Sequence, residues 1–269
     1  MKIYTKFLDK NPYFRDGKWI TGKSFAGFFL HSTATSQPDP MVFVNRWNSP
    51  NYTAAGISGF IGADAVYLTA SCLDTPGSVK RMPHAGVGTT NNSYIGFEMC
   101  EPAGLHYNDS HSRILSCDNF EAGRDYVLKT YRNAVELFAK LCEFHGKDPL
   151  QLKTIVSHKE GHELGIATNH GDPDHLWKFF APELNMDKFR ADVAAEMHKK
   201  EETEVRYQTV GDMKREAQAE KYYLPTVEKL ISKGILAGKG GSGDALVLDF
   251  SEDSVRLLVI LDRAGAFGE

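Results

Sequence analysis

The chain has 269 residues, 42% hydrophobic and 25% charged, with a net charge of −4. Those values describe an ordinary globular protein and give no basic patch of the kind that nucleic acid requires. No segment reaches the roughly 20 apolar residues of a membrane span. The four cysteines, Cys72, Cys100, Cys117 and Cys142, are widely spaced and form no CxxC pair, so free reduced thiols are expected rather than a disulfide framework. The opening residues "MKIYTKFLDKNPYFRDGKW" lack the apolar run of a signal peptide, which implies synthesis in the cytoplasm.

In chain order, "AGFFLHST" (26–33) is the first clear element, an apolar run ending in small polar residues. It predicts a buried strand that presents His31 at its end. Residues 48–70 carry small-residue turns and further strands. In "SYIGFEMCE" (93–101), Ile95, Phe97 and Met99 alternate with Gly96, Glu98 and Cys100. That period of two turns Glu98 to the face opposite Phe97. Residues 118–146 predict the longest helix: Leu128, Tyr131, Val135, Phe138, Leu141 and Phe144 recur at three- and four-residue steps, and Gly146 suits its end. "LKTIVSHKEG" (152–161) predicts another buried strand ending at His158, and the stretch from "DPDHLWKFF" to "MDKFRADVAAEMHKK" predicts a terminal helix. Strands alternating with helices predict a mixed α/β domain over residues 1–197: a central mixed sheet flanked by helices.

The charged stretch 198–208 reads as a linker or solvated helix end. Residues 209–269 predict a small helical and β module. It has a short helix at "PTVEKLISKG", a flexible turn at "GKGGSGD", and a second helix at "SEDSVRLLVILDRAG" with a capping serine and an acidic first turn. About 60 residues barely sustain an independent core, so self-association or packing on a partner is expected.

Residues 157–177, "SHKEGHELGIATNHGDPDHLW", hold four of the ten histidines. A catalytic zinc takes three protein ligands and leaves one position open for water. Ligands from strand ends must converge, which makes His31, His158 and an acceptor in "NHGDP" the candidates. An alternative is a metallopeptidase that grips zinc with His158 and His162 of "HKEGH", as H-E-x-x-H enzymes do from one helix turn. Its glutamate is in the wrong place, and Gly161 and Gly165 weaken any helix there. Glu160 and Glu163 read as solvated charges, and His162 and His175 as packing or supporting groups.

Taken in order, "FFLHST", "NSYIGFEMCE", "TIVSHKEG" and "NHGDPDHLW" resemble the zinc-dependent N-acetylmuramoyl-L-alanine amidases of the amidase-2 group, which includes phage endolysins and is related to peptidoglycan recognition proteins. The resemblance covers about residues 20–182 and is greatest to phage and prophage lysins of Gram-positive hosts. It implies a Zn2+ site at the strand ends, with His31, His158 and Asp172 as ligands. Glu98 is then the acid–base residue, and His170, where relatives commonly carry lysine, the oxyanion donor and the second candidate for third ligand. His84 and Asn92 are expected to contact substrate, with Trp47, Asn91 and Tyr94 as further candidates. The implied reaction is hydrolysis of the amide between N-acetylmuramic acid and L-alanine in a Gram-positive peptidoglycan, with action at the wall after release from the cytoplasm.

The end of the chain resembles the wall-binding modules of clostridial-type lysins and an S-layer homology repeat. That implies attachment to a secondary wall polysaccharide, with a homodimerisation module as the alternative. A non-catalytic peptidoglycan-binding protein is the reading from another class. Occupation of all three ligand positions weighs against it.

Overall fold

A computed structural model describes residues 1–203 and 206–268. They divide into two compact units, Met1–Met197 and His198–Glu269. The first unit runs β1 (Ile3–Thr5), α1 (Pro12–Arg15), β2 (Trp19–Thr21), β3 (Gly27–Ser32), α2 (Pro40–Trp47), β4 (Gly59–Ile61), β5 (Val66–Leu68) and β6 (Ser78–Lys80). It continues through β7 (Tyr94–Met99), β8 (Leu105–Tyr107), β9 (Ile114–Cys117), α3 (Phe120–His145), β10 (Ile155–Ser157), α4 (His158–Glu163), α5 (Asp174–Phe180) and α6 (Met186–Thr203).

Six strands form the central sheet in the order β1-β5-β4-β7-β3-β10. The β4–β5 pair is antiparallel and the other pairs are parallel, so the sheet is mixed, as expected. Pleating divides its side chains. Phe28, Leu30, Ile95, Phe97, Met99 and Ile155 pack with Tyr131, Ala134, Phe138 and Leu141 of α3 in the main core. Phe29, Tyr94 and Val156 belong to a second cluster. His31 and Glu98 share this second parity, and they sit directly opposite each other in the β3–β7 register.

The long helix forms where its periodicity predicts. Asn119 caps it by accepting from the Ala122 N–H, and Gly146 closes it in the left-handed conformation at φ 62°. The expected terminal helix is instead two helices, α5 and α6, broken in the "APELN" stretch. Pro182 lacks the N–H that a helix interior needs and disfavours helical backbone at the preceding residue.

The "HKEGH" segment is also helical, contrary to the expectation of a glycine-weakened turn. Ser157 and Glu160 form a capping box around its first turn. Glu160 further receives a bidentate contact from Arg190 at 3.0 Å, so it is no free solvated charge. Gly161 is required here by space: a Cβ on it would lie 2.6 Å from Cε1 of the fully buried Phe29. Gly161→Ala is therefore expected to destabilise the unit by about 1–3 kcal/mol through overpacking, seen as a Tm several degrees lower in thermal unfolding.

The second unit contains β11 (Arg206–Thr209), α7 (Val210–Arg215), α8 (Ala217–Tyr222), α9 (Leu224–Ser232), β12 (Val247–Ser251) and α10 (Glu252–Arg263). β11 pairs antiparallel with β12, and Tyr207, Met213, Val227, Leu248 and Val255 build its core. Ser251 caps α10, as its sequence suggests. The stretch 198–208, expected as a linker or solvated helix end, is a helix end over residues 198–203. α6 continues to Thr203, and β11 begins at Arg206 because Tyr207, 3% exposed, belongs to the module core. Residues 204–205 of that stretch lie outside the described residues. No helix among the described residues is long and apolar enough to cross a membrane.

Candidate active site

Three chain segments converge at the C-terminal ends of β3, β7 and β10. His31 is the penultimate residue of β3, and His158 follows β10 as the first residue of α4. Asp172 arrives on the loop before α5, and its backbone carbonyl accepts from the Lys159 N–H at 3.3 Å. All three are buried.

His31 Nδ1 lies 3.1 Å from Asp172 Oδ2 and 3.1 Å from His158 Nδ1, while His158 Nδ1 is 3.6 Å from Asp172 Oδ1. Ligand bonds of 2.0–2.1 Å in a tetrahedral site place neighbouring ligand atoms about 3.3 Å apart, so the spacing fits a zinc-sized ion. This trio is the one group of metal-ligating side chains of this kind among the described residues. The protonation states of His158 and Asp172 fit as well. Burial works to lower His31, but its hydrogen bond to Asp172 and the charges of Glu98 and Asp172 prevail and leave it raised, an ion pair that metal binding has to displace. Burial, followed by the charge on His31, holds the His158 imidazole down at about 4. Burial works to raise Asp172, but its hydrogen bond to His31 and the charges of His31, His158 and His175 prevail and leave it lowered. A neutral imidazole and an ionised carboxylate are the metal-binding forms.

Further contacts fix the two imidazole rings. His31 Nε2 is 2.9 Å from His84 Nδ1, and His84 Nε2 is 3.3 Å from the Tyr94 carbonyl oxygen. With His31 Nδ1 turned to the metal position, its Nε2–H donates to His84, whose own Nε2–H donates to the carbonyl. Burial first, then the charges on His31 and His158, keeps His84 neutral for this relay. His158 Nε2 lies 3.1 Å from Thr168 Oγ1.

His84 lines the cavity, but both of its ring nitrogens are engaged, one by His31 and one by the Tyr94 carbonyl oxygen. It fits only because residue 96 is glycine, since a Cβ there would lie 2.7 Å from the imidazole. Gly96→Ala is expected to displace His84 and weaken zinc binding about 10- to 100-fold, the usual cost of losing a ligand's support. Competition with a chromophoric chelator reads that change.

Glu98 stands beside His31 with Oε2 buried and without a hydrogen-bond partner among the described residues. Burial pushes its carboxyl up to about 7; Asp172 and Glu101 add to this, and His31 opposes it. His170 is exposed at the cavity mouth, its ring centroid 4.4 Å from that of His158, and it stands outside the metal trio.

Asn92 is not at the site. It closes a short helical turn, is exposed, and accepts from Arg81 Nε at 2.6 Å. Its buried neighbour Asn91 faces inward, where its Oδ1 accepts from the His84 and Ala85 N–H groups at 2.9 Å each. Trp47 packs on Tyr52 and Phe60. His162 is exposed and outside the trio.

The sequence reading missed Glu101. It is fully buried, accepts from the Ala34 N–H at 3.1 Å and from the Tyr107 hydroxyl, and lies 3.3 Å from His175 Nε2. It thereby ties the chain leaving β3 to the start of α5, the two stretches adjoining His31 and Asp172. The strand that carries Glu98 ends at Met99, so the alternation read through Cys100 assigned Glu101 no role.

Together, the trio, a buried carboxyl and a cavity of about 690 Å3 are the parts that a metal-dependent hydrolase needs, set on a mixed α/β sheet. The amidase-2 profile, N-acetylmuramoyl-L-alanine amidase, matches residues 21–175, more than half of the chain, and the protein belongs to this family. It is an enzyme that hydrolyses the amide between N-acetylmuramic acid and L-alanine in peptidoglycan.

Among solved structures it is similar to the Staphylococcus aureus hydrolase AmiA in complex with its ligand, at 16% identity and TM-score 0.52, over 75% of this chain and 86% of that one. The catalytic domain of XlyA is 20% identical with TM-score 0.47, over 72% and 99% of the two chains. A mutant endolysin from Bacillus subtilis is 20% identical with TM-score 0.45, over the same shares. At such identities the likeness to AmiA speaks for the fold. No curated relative matches the sequence.

Proposed function

We propose that this amidase is an endolysin of the phage or prophage type, acting with zinc on a Gram-positive cell wall. The observation that carries the metal assignment is the convergence of His31, His158 and Asp172 at tetrahedral ligand spacing. His31, His158 and Asp172 would hold the zinc, which when bound would supply a hydroxide-like nucleophile near neutral pH and polarise the scissile carbonyl.

The chain's own residues do the rest. Glu98, on the strand beside His31, accepts the proton of the attacking water and returns it to the departing L-alanine amine. Its raised affinity for protons suits both halves of that transfer. His170 at the cavity mouth donates to the oxyanion, an interaction worth roughly 3 kcal/mol for one donor. His84 and Thr168 hold the two imidazoles in register.

Residues 206–268 form a separate compact core, which supports a role in attachment to a secondary wall polysaccharide, with self-association as the competing role. Two copies on one polymer raise effective concentration, so both roles are compatible. Synthesis in the cytoplasm followed by action at the wall completes the endolysin reading.

Digestion of purified Gram-positive walls tests it. The expected products are new L-alanine N-termini with the muramic acid lactyl group freed. N-termini of any other residue, with muramic acid still attached to peptide, would overturn the reading in favour of a peptidase. Wall binding without cleavage would favour a recognition protein.

A further inference from the structure

The metal cavity does not end at His175. Ser112, Gly171 and His175 line both it and an adjoining groove of about 460 Å3. Ile114 and Phe179 give this groove an apolar lining, while Arg113, Lys159 and Lys178 give it three cations against one carboxylate, Asp174. Lys159 is engaged with Asp174 at 3.6 Å and Glu163 at 3.9 Å. The Arg113 guanidinium and the Lys178 ammonium have no ion-pair or hydrogen-bond partner among the described residues, and both residues are exposed.

Arg113 is held in place from behind. Asn108 Oδ1 accepts from the Ser112 and Arg113 N–H groups at 2.9 Å, and Asn108 Nδ2 donates to Ser110 Oγ at 2.8 Å. His111 on the same turn stacks against Tyr107 at 5.4 Å, and its Nδ1 lies 3.3 Å from the Ala34 carbonyl oxygen. The turn is thus fastened to the chain that leaves β3, and Arg113 extends from a braced base.

We propose that this groove binds carboxylates on the peptide half of the substrate, which makes Arg113 and Lys178 specificity-determining residues. The inference rests on the amidase reading. Its chemistry follows from the two halves of the scissile bond. The muramic acid carboxyl is consumed in the amide, and what remains of the sugar is hydroxyls and an acetamide, all neutral. The peptide that begins with L-alanine carries its negative charge in carboxylates further along. A groove of net positive charge that opens from the metal cavity matches the peptide half. Exposed cation–carboxylate contacts are each worth about a 1.5- to 5-fold effect, and more where geometry is fixed.

The test uses soluble muropeptides from the wall, with carboxylates free or amidated by carbodiimide and ammonia. The wild-type chain is expected to show a KM about 2- to 25-fold higher for the amidated substrate, from two contacts of that size. The double variant Arg113→Gln, Lys178→Gln is expected to treat both substrates alike. Added salt should raise the wild-type KM on the free-carboxylate substrate only, because exposed charges are screened. A wild type without preference, or a double variant that keeps it, overturns the assignment. An equal KM rise on both substrates in the variant assigns the groove to the neutral glycan and also overturns it. Failure of the wild type to release L-alanine N-termini from either substrate is a different result, which overturns the amidase reading itself and the groove with it.

Discussion

Asp172→Ala is expected to lose zinc, with affinity at least about a hundredfold below the wild type, and to lose activity with it. Changes that only disturb a ligand's support cost about 10- to 100-fold, so removal of a ligand sets at least the upper end of that range. The carboxylate stands between both imidazoles, 3.1 Å from one and 3.6 Å from the other, and it carries the only negative charge of the trio. Without it, two neutral histidines 3.1 Å apart remain, and they leave the dication's charge unbalanced in a buried site. His170 does not substitute, since it stands exposed at the mouth, outside the trio. Metal analysis of the purified variant reads the result. Stoichiometric zinc in Asp172→Ala would assign the third ligand elsewhere, with His170 the first residue to examine.

Glu98→Gln is expected to do the reverse: zinc stays bound at full stoichiometry while kcat falls about 100- to 10,000-fold, the range for loss of a general acid–base group. Glutamine keeps the volume but cannot take a proton. The pH profile supplies a second readout. A general base works deprotonated, so kcat/KM falls as pH falls through the Glu98 pKa. Burial sets that value at about 7 in the metal-free chain. A dication nearby lowers it, so the acid limb of the loaded enzyme lies below about 7. The limb should vanish in Glu98→Gln, leaving a low and flat profile on the acid side. A variant that retains wild-type kcat, or that loses zinc, would take Glu98 out of the proton-transfer role.

The parts of this site that lie on strands were legible in the sequence. Period-two alternation separated Glu98 from Phe97, but that it shares a face with His31 and lies beside it follows from the register of β3 and β7, which no local pattern gives. The C-terminal end of the longest helix was legible for a similar reason, since Gly146 is a local signal that acts within a single turn, whereas the Asn119 cap went unread.

What the sequence did not reveal depends on contacts between distant segments. Nothing local says that Phe29 fills the space beside Gly161, so a glycine that enables a close approach read as one that breaks a helix. His84 and Asn92 both read as loop residues facing substrate. Gly96 makes room for one of them beside His31, whereas a helical turn directs the other toward Arg81. Glu101 escaped notice because it lies past the end of its strand, and its partners Ala34, Tyr107 and His175 come from three separate stretches.

Anomalous X-ray scattering at the zinc edge, on crystals of the zinc-loaded chain, tests the central claim most directly. A single peak within bonding distance of His31 Nδ1, His158 Nδ1 and an Asp172 carboxylate oxygen is the predicted result, with the fourth direction open to the cavity. A peak bound by His158 and His162, or one where His170 replaces Asp172, would contradict it.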